Sequence, residues 1–304
     1  MTKRIPRNLI EHLGWRPNQT PPPPPTPTPS PPRPPSTQKA FTIERLIQEG
    51  KEFFNQDKDA AEKWIGLPLA LTQAQEYATP QGNVASMPQL LAGKATAEKT
   101  NYLWKNWFTA LSEEHVGLDQ QKHYGRARKP IVLLIHGGGI LTPERIFQAY
   151  TEGLTPQNAA RFKQEEWDNL LKGTLPNGES IQIYNLEDVR KAKIPDPFGR
   201  YGVAVDFELA KSLATGYHDK TTFMNAPLVQ ARAGTLEYLE KYFDKAVTRG
   251  TVGNHHKLAV IDPQQPQGRV LFILNISDGL DGDSDLDDSG RFVGVAPEAR
   301  GKKK

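Results

Sequence analysis

From residue 129 onward, short apolar runs alternate with capped helical patterns, and this alternation limits the fold more than any other feature of the chain. Ile131-Val-Leu-Leu-Ile135 is an unbroken apolar run of strand length, which predicts a strand buried in a sheet. Thr142-Pro143 places a capping hydroxyl before a proline at the first helical position, where the missing N–H costs nothing, and predicts a helix through about Tyr150. Thr155-Pro156 repeats that signal and predicts a helix carrying Ala160, Trp167, Leu170 and Leu171. Residues 181–184 and 201–207 predict two further strands, and a long helix over about 228–247 would place Leu236, Leu239, Phe243 and Val247 on one face. Strand, helix, strand, helix and strand in that order predict an α/β layered domain over residues 129–292, a sheet with flanking helices.

The preceding region reads differently. Residues 38–128 predict a mainly helical segment, with Phe41, Ile43, Leu46, Ile47, Phe53 and Phe54 in a stripe near helical period. Tyr102, Leu103, Trp104, Trp107, Phe108 and Leu111 predict another helix packed on a core. Residues 20–37 are dominated by proline, which lacks the backbone donor and fixes φ, so this stretch predicts a polyproline II linker. Before it lies a short segment, residues 1–19, and after the α/β part a basic tail, residues 293–304.

Charge narrows the partners. The chain carries 38 basic and 35 acidic side chains, a net +3, which gives no strong signal for nucleic acid. The absence of cysteine excludes disulfides, thiol nucleophiles and thiolate metal sites. No run reaches signal-peptide or membrane-span length, so the expected location is the cytoplasm, or outside the cell by a route without a cleaved signal.

The chemistry-bearing stretch is Gly253-Asn-His-His-Lys-Leu-Ala-Val-Ile-Asp262. On an extended strand His255 and Lys257 share a face, where an imidazole can attack phosphorus and an ammonium can hold the phosphoryl oxygens. A turn-rich insert, residues 263–268, leads to a second apolar run ending at Asn275, followed by Ser277-Asp278-Gly279. His255-x-Lys257 with Asp262, and Asn275 on a neighbouring strand, resemble the signature of the phospholipase D superfamily. Asn254 and Ser277-Asp278-Gly279 resemble its phospholipase and cardiolipin synthase members. Phe272 and Ile273 depart from the small residues of that family. The resemblance implies one phospholipase D-like repeat with a mixed sheet, and a phosphodiesterase that hydrolyses or transfers a phosphatidyl group through a phosphohistidine. It assigns His255 as nucleophile, Lys257 as phosphate-binding cation, Asn275 as an additional hydrogen-bonding group and Asp262 as an orienting residue. It requires no metal and no cofactor. The substrate would be a phospholipid or another phosphodiester. Because that chemistry uses two motifs, the second would come from a homodimer or a separate chain.

Three rivals stand beside it: a homodimeric nuclease of the same superfamily, a binding or scaffold protein with a degenerate site, and an α/β-hydrolase. The last rests on Ile131-Val-Leu-Leu-Ile-His136-Gly-Gly-Gly139, which resembles a strand and oxyanion loop, although no Gly-x-Ser-x-Gly elbow follows. The acidic tract 278–288 misses the EF-hand register at Leu286 and Phe292. His218-Asp219-Lys220 reads as a charged turn.

Overall fold

The computed structural model describes residues 41–297 except 60, 61, 63, 80, 81, 126, 127, 276 and 277. The expectations for residues 1–19 and 20–37, and for most of the basic tail, lie outside the described residues. In chain order the strands are β1 (Lys51–Asn55), β2 (Asn83–Val84), β3 (Phe108–Asp119), β4 (Lys129–His136), β5 (Ala160–Arg161), β6 (Ile183–Asn185), β7 (Tyr201–Asp206), β8 (Gly216–His218), β9 (Val252–His256), β10 (Gln267–Ile273), β11 (Leu280–Gly282) and β12 (Gly290–Val295). The main sheet runs β6-β7-β4-β3-β10-β11-β9-β8, with β5 paired to β10; β1-β12-β2 form a smaller sheet. β6–β7 and β9–β11 pair in parallel and the other pairs of the main sheet are antiparallel, so the sheet is mixed.

The core lies on both faces of this sheet. In β4, Val132 and Leu134 enter one apolar cluster while Ile131, Leu133 and Ile135 enter the other, as a period of two requires. In β10, Leu271 and Ile273 face one side, and Val270 and Phe272 the other. Phe272 packs on Trp107 with ring centres 5.8 Å apart, so the two bulky residues that depart from the phospholipase D pattern are core residues.

Several expectations change here. The helix after Thr142 forms as Pro143–Glu152, capped by the threonine side chain. Thr155-Pro156 starts no helix: the Thr155 hydroxyl accepts from Ala159 N at 3.1 Å in a turn, and the next helix, Gln164–Leu171, begins at Lys163, whose N–H is held by Glu166. Ala160 therefore lies in β5. Of the helix predicted to carry Tyr102 to Leu111, Tyr102–Lys105 is helical, while Phe108–Leu111 open β3, whose pairing with β4 and β10 places it in the middle of the sheet. The boundary expected at 128/129 falls in the β3–β4 hairpin.

The long helix expected over 228–247 is two, Pro227–Ala233 and Leu239–Ala246. Gly234 ends the first in the left-handed region at φ +67°, and a Cβ there would lie 2.0 Å from the Tyr201 hydroxyl. Strain and overpacking act together at this position, so Gly234→Ala should cost about 1–3 kcal/mol of stability, read as a lower urea midpoint at constant slope.

Candidate functional site

β9 ends one residue too early for the expected His-Lys pair. Asn254 and His256 are buried and His255, between them, is half-buried at the surface. Lys257 lies beyond the strand, and Leu258–Ile261, expected to continue it, turn back, with Val260 N donating to Lys257 O at 2.9 Å. β9 lies between β11, which runs parallel to it, and β8 (Gly216–His218), which runs antiparallel, so Asn275 is on neither adjacent strand. The Asn275 carbonyl accepts from Asp278 N at 3.3 Å. Asp262 caps another turn, accepting from Gln264 N at 2.9 Å. Among the described residues, none of His255, Lys257, Asp262 and Asn275 hydrogen-bonds another of the four.

Beneath this surface lies a closed polar layer. The Arg232 guanidinium, 0% exposed, donates from Nε and Nη2 to Glu114 Oε2 at 3.1 and 2.8 Å. Its Nη1 donates to Asn254 Oδ1 and to the His255 carbonyl, both at 2.9 Å. One arginine thus ties helix Pro227–Ala233 to β3 and β9. Gly282 leaves room for it, since a Cβ there would meet Nη2 at 2.1 Å. His256 belongs to this layer: Nε2 donates to the Leu213 carbonyl at 2.8 Å, and burial, with Arg232 nearby, lowers its pKa.

Above the layer sit side chains of another kind. Tyr217 on β8, the edge strand, is 54% exposed. Its hydroxyl donates to Asp278 Oδ1 at 2.8 Å, and the His255 ring meets it edge-on at 5.5 Å. Lys257 Nζ pairs with Asp285 Oδ1 at 2.5 Å. Asp281, buried in β11, accepts from Asp283 N and from Ser284 Oγ, each at 2.6 Å. Among the described residues no cluster of three or more histidines and carboxylates is arranged to hold a metal ion.

The glycine loop has an internal explanation. Gly137 and Gly138 N–H donate to the Leu111 carbonyl. Gly139, Ile140 and Leu141 N–H converge on the carboxylate of Glu113 at 2.9–3.0 Å, and His115 Nε2 donates to the same group at 2.8 Å. The cradle that resembles an oxyanion hole is filled by the protein's own carboxylate. His136 is buried, hydrogen-bonded to Ser112 and to the Ala231 carbonyl, and burial lowers its pKa to about 4, so it stays neutral. His218-Asp219-Lys220 opens a short helix: Asp219 caps Thr222 N at 3.0 Å and Lys220 pairs with Asp244 and Glu240.

Sequence reading missed Tyr217, Arg232, Glu113 and Glu114. The adjacent glutamates inside an otherwise strand-compatible run were the available signal. Apart from His115, their partners begin 26 and 118 residues away, beyond what local pattern can supply.

No protein-family model matches the chain, and no curated protein matches it. Its fold is similar to a solved structure described as accommodation of massive sequence variation in Nanoarchaeota by the C-type lectin fold. The two share 24% identity with a TM-score of 0.59, over 82% of this chain and 99% of that one. At this identity the likeness establishes the fold: the mixed α/β architecture is C-type lectin-like. It overturns the phospholipase D repeat, and with it the phosphodiesterase, phosphatidyl-transfer and hydrolase readings. The nucleophile and cation roles given to His255 and Lys257, and the supporting roles given to Asp262 and Asn275, rested on that resemblance. Among the described residues no helix is long and apolar enough to cross a membrane.

Proposed function

We propose that this chain is a binding protein whose contact face is built from β8, the end of β9 and the loops around 278–285, and whose partner is another protein. The observation that carries the reading is Tyr217: a largely exposed aromatic ring oriented by Asp278 and flanked by His255, on a frame fixed from below by Arg232. Aromatic side chains held in place before contact give large area at low entropic cost, and binding hot spots are enriched in tyrosine for that reason. Lys257 and Asp285 supply a charged rim of the kind that sets register and partner choice. The similar protein is described as accommodating massive sequence variation by this fold, and exposed side chains set on a buried polar frame support a comparable division of labour here.

The test begins with proteins of the native source retained on the immobilised chain, followed by titration of the purified partner. Tyr217→Ala should weaken affinity at least tenfold, about 1.4 kcal/mol, while leaving the melting temperature unchanged, because the ring buries little within its own chain. Equal affinity of the two proteins would overturn the reading.

A further inference from the structure

Three aromatic rings stand in series where the described chain begins. The Phe41 ring centre lies 6.2 Å from that of Phe198, which in turn lies 6.0 Å from that of Tyr238. Each of the three residues is half-buried. Phe41 and Tyr238 rest on the apolar cluster that takes in Leu46 and Leu239. Phe198 is held through its backbone from two sides: its carbonyl accepts from Gln89 Nε2 at 2.7 Å, and its N–H donates to Asp196 Oδ1 at 3.1 Å. Gln89 is itself buried, so the middle ring is set from the core. Carboxylates border the series. Glu237 precedes Tyr238, and Glu44 stands in the first turn of the helix that follows Phe41. Both are exposed, and among the described residues neither pairs with a lysine or arginine. Burial first, then the charges of Glu237 and Glu44, raise the pKa of Tyr238, as carboxylates close to its hydroxyl would.

We infer that this aromatic ladder is a docking site for a polyproline II segment, and that its occupant is Pro31-Pro32-Arg33-Pro34-Pro35 of the same chain. The inference goes beyond the binding-face reading and uses none of that face's residues. Aromatic-lined grooves take proline-rich segments because such a segment is stiff before it binds and loses little entropy on docking. Length agrees: five residues in that conformation cover about 12 Å at about 3.1 Å each, enough to pass over all three rings. Charge agrees as well. Residues 1–40 carry six basic side chains and one acidic, in a chain whose net charge is only +3. Arg33 sits between two proline pairs, where its guanidinium can face Glu237 or Glu44, or lie on the Tyr238 ring. Position decides between this chain and any other source of such a segment. Phe41 is both the first ring of the ladder and the first described residue, and five residues, 36–40, join it to Pro35. Fully extended, that connection reaches about 20 Å, enough to fold back along the ladder. A link this short keeps the segment at an effective concentration on the order of millimolar, so even a weak contact is well populated.

The experiment is paramagnetic NMR on the full chain. Because the sequence has no cysteine, Ser30→Cys offers a single attachment point for a nitroxide beside the docked prolines. The nitroxide should strongly broaden the amides of residues 198–199 and 237–239. Arg33→Glu, which keeps the tether and every described residue, should reduce that relaxation enhancement about threefold or more, to the level of a segment that is merely tethered. Tyr238→Leu, which removes the ring but keeps an apolar side chain, should reduce it in the same way. Nitroxide-bearing chains mixed with isotope-labelled chains that lack the nitroxide should cause no broadening at these amides. Equal broadening in the parent and in Arg33→Glu would overturn the docking. Broadening confined to the mixture would place the segment on a second copy and overturn the assigned occupant. No readout involves Tyr217 or a partner protein, so the ladder and the binding face can fail separately.

Discussion

Arg232→Ala should lower the melting temperature by about 10 °C or more, the largest effect of any single substitution in this layer. Removing the guanidinium leaves Glu114, 1% exposed, as a buried carboxylate without its two strongest donors, and strips the donor from Asn254 Oδ1 and the His255 carbonyl. Breaking a buried ion pair from one side costs about 3–5 kcal/mol, because the partner charge stays buried. In a domain of this size each kcal/mol shifts the midpoint by about 2–4 °C. The mechanism makes a second claim. A double variant, Arg232→Met with Glu114→Gln, should recover much of the loss, since it removes both charges together. Circular dichroism melts of the single and double variants check both statements; a double variant as unstable as the single one would show that packing, not the charge, was lost.

The second large effect is Glu113→Ala. Its carboxylate accepts three backbone N–H groups of residues 139–141 and the His115 Nε2–H. Each buried donor left without an acceptor costs about 1–3 kcal/mol, so the sum should approach 4 kcal/mol after local relaxation. Glu113→Gln keeps the shape and one acceptor oxygen and should cost about half as much. Urea unfolding measures both. An alanine variant as stable as the parent would mean the glycine loop finds another acceptor, which would reopen that loop as a site for an external anion.

These two groups also show where sequence reading stops. β4, β7 and helix Pro143–Glu152 were legible because their signals are local: continuous apolar runs, and a threonine followed by proline. β3 was not legible. Its Glu113 and Glu114 are adjacent in a buried strand and interrupt its apolar pattern, and apart from the His115 ring beside Glu113 their partners are tertiary. Gly234 was invisible as a break because its necessity comes from Tyr201, 33 positions away. The spacing of His255 and Lys257 is real, but spacing carries no information on where a strand ends. β9 stops at His256, whose ring is drawn inward by the Leu213 carbonyl, and the chain then turns. The Gly137–Gly139 motif fared similarly: its geometry does hold an anion, but that anion is Glu113 of the same chain. Sequence thus located the region of β9 and its loops without supplying the chemistry, because the chemistry depends on which strands become neighbours.

The binding-face account is tested most directly by position-specific photo-cross-linking. A benzophenone amino acid is placed at Tyr217 in one full-length protein and at Phe54 in another. Phe54 is also exposed, but it lies on β1 of the smaller sheet, packed with Arg291 and Trp107. Irradiation with the purified partner should give a covalent adduct from position 217 and none from position 54. An adduct from position 54 with none from 217 would contradict the account and move the interface to the smaller sheet.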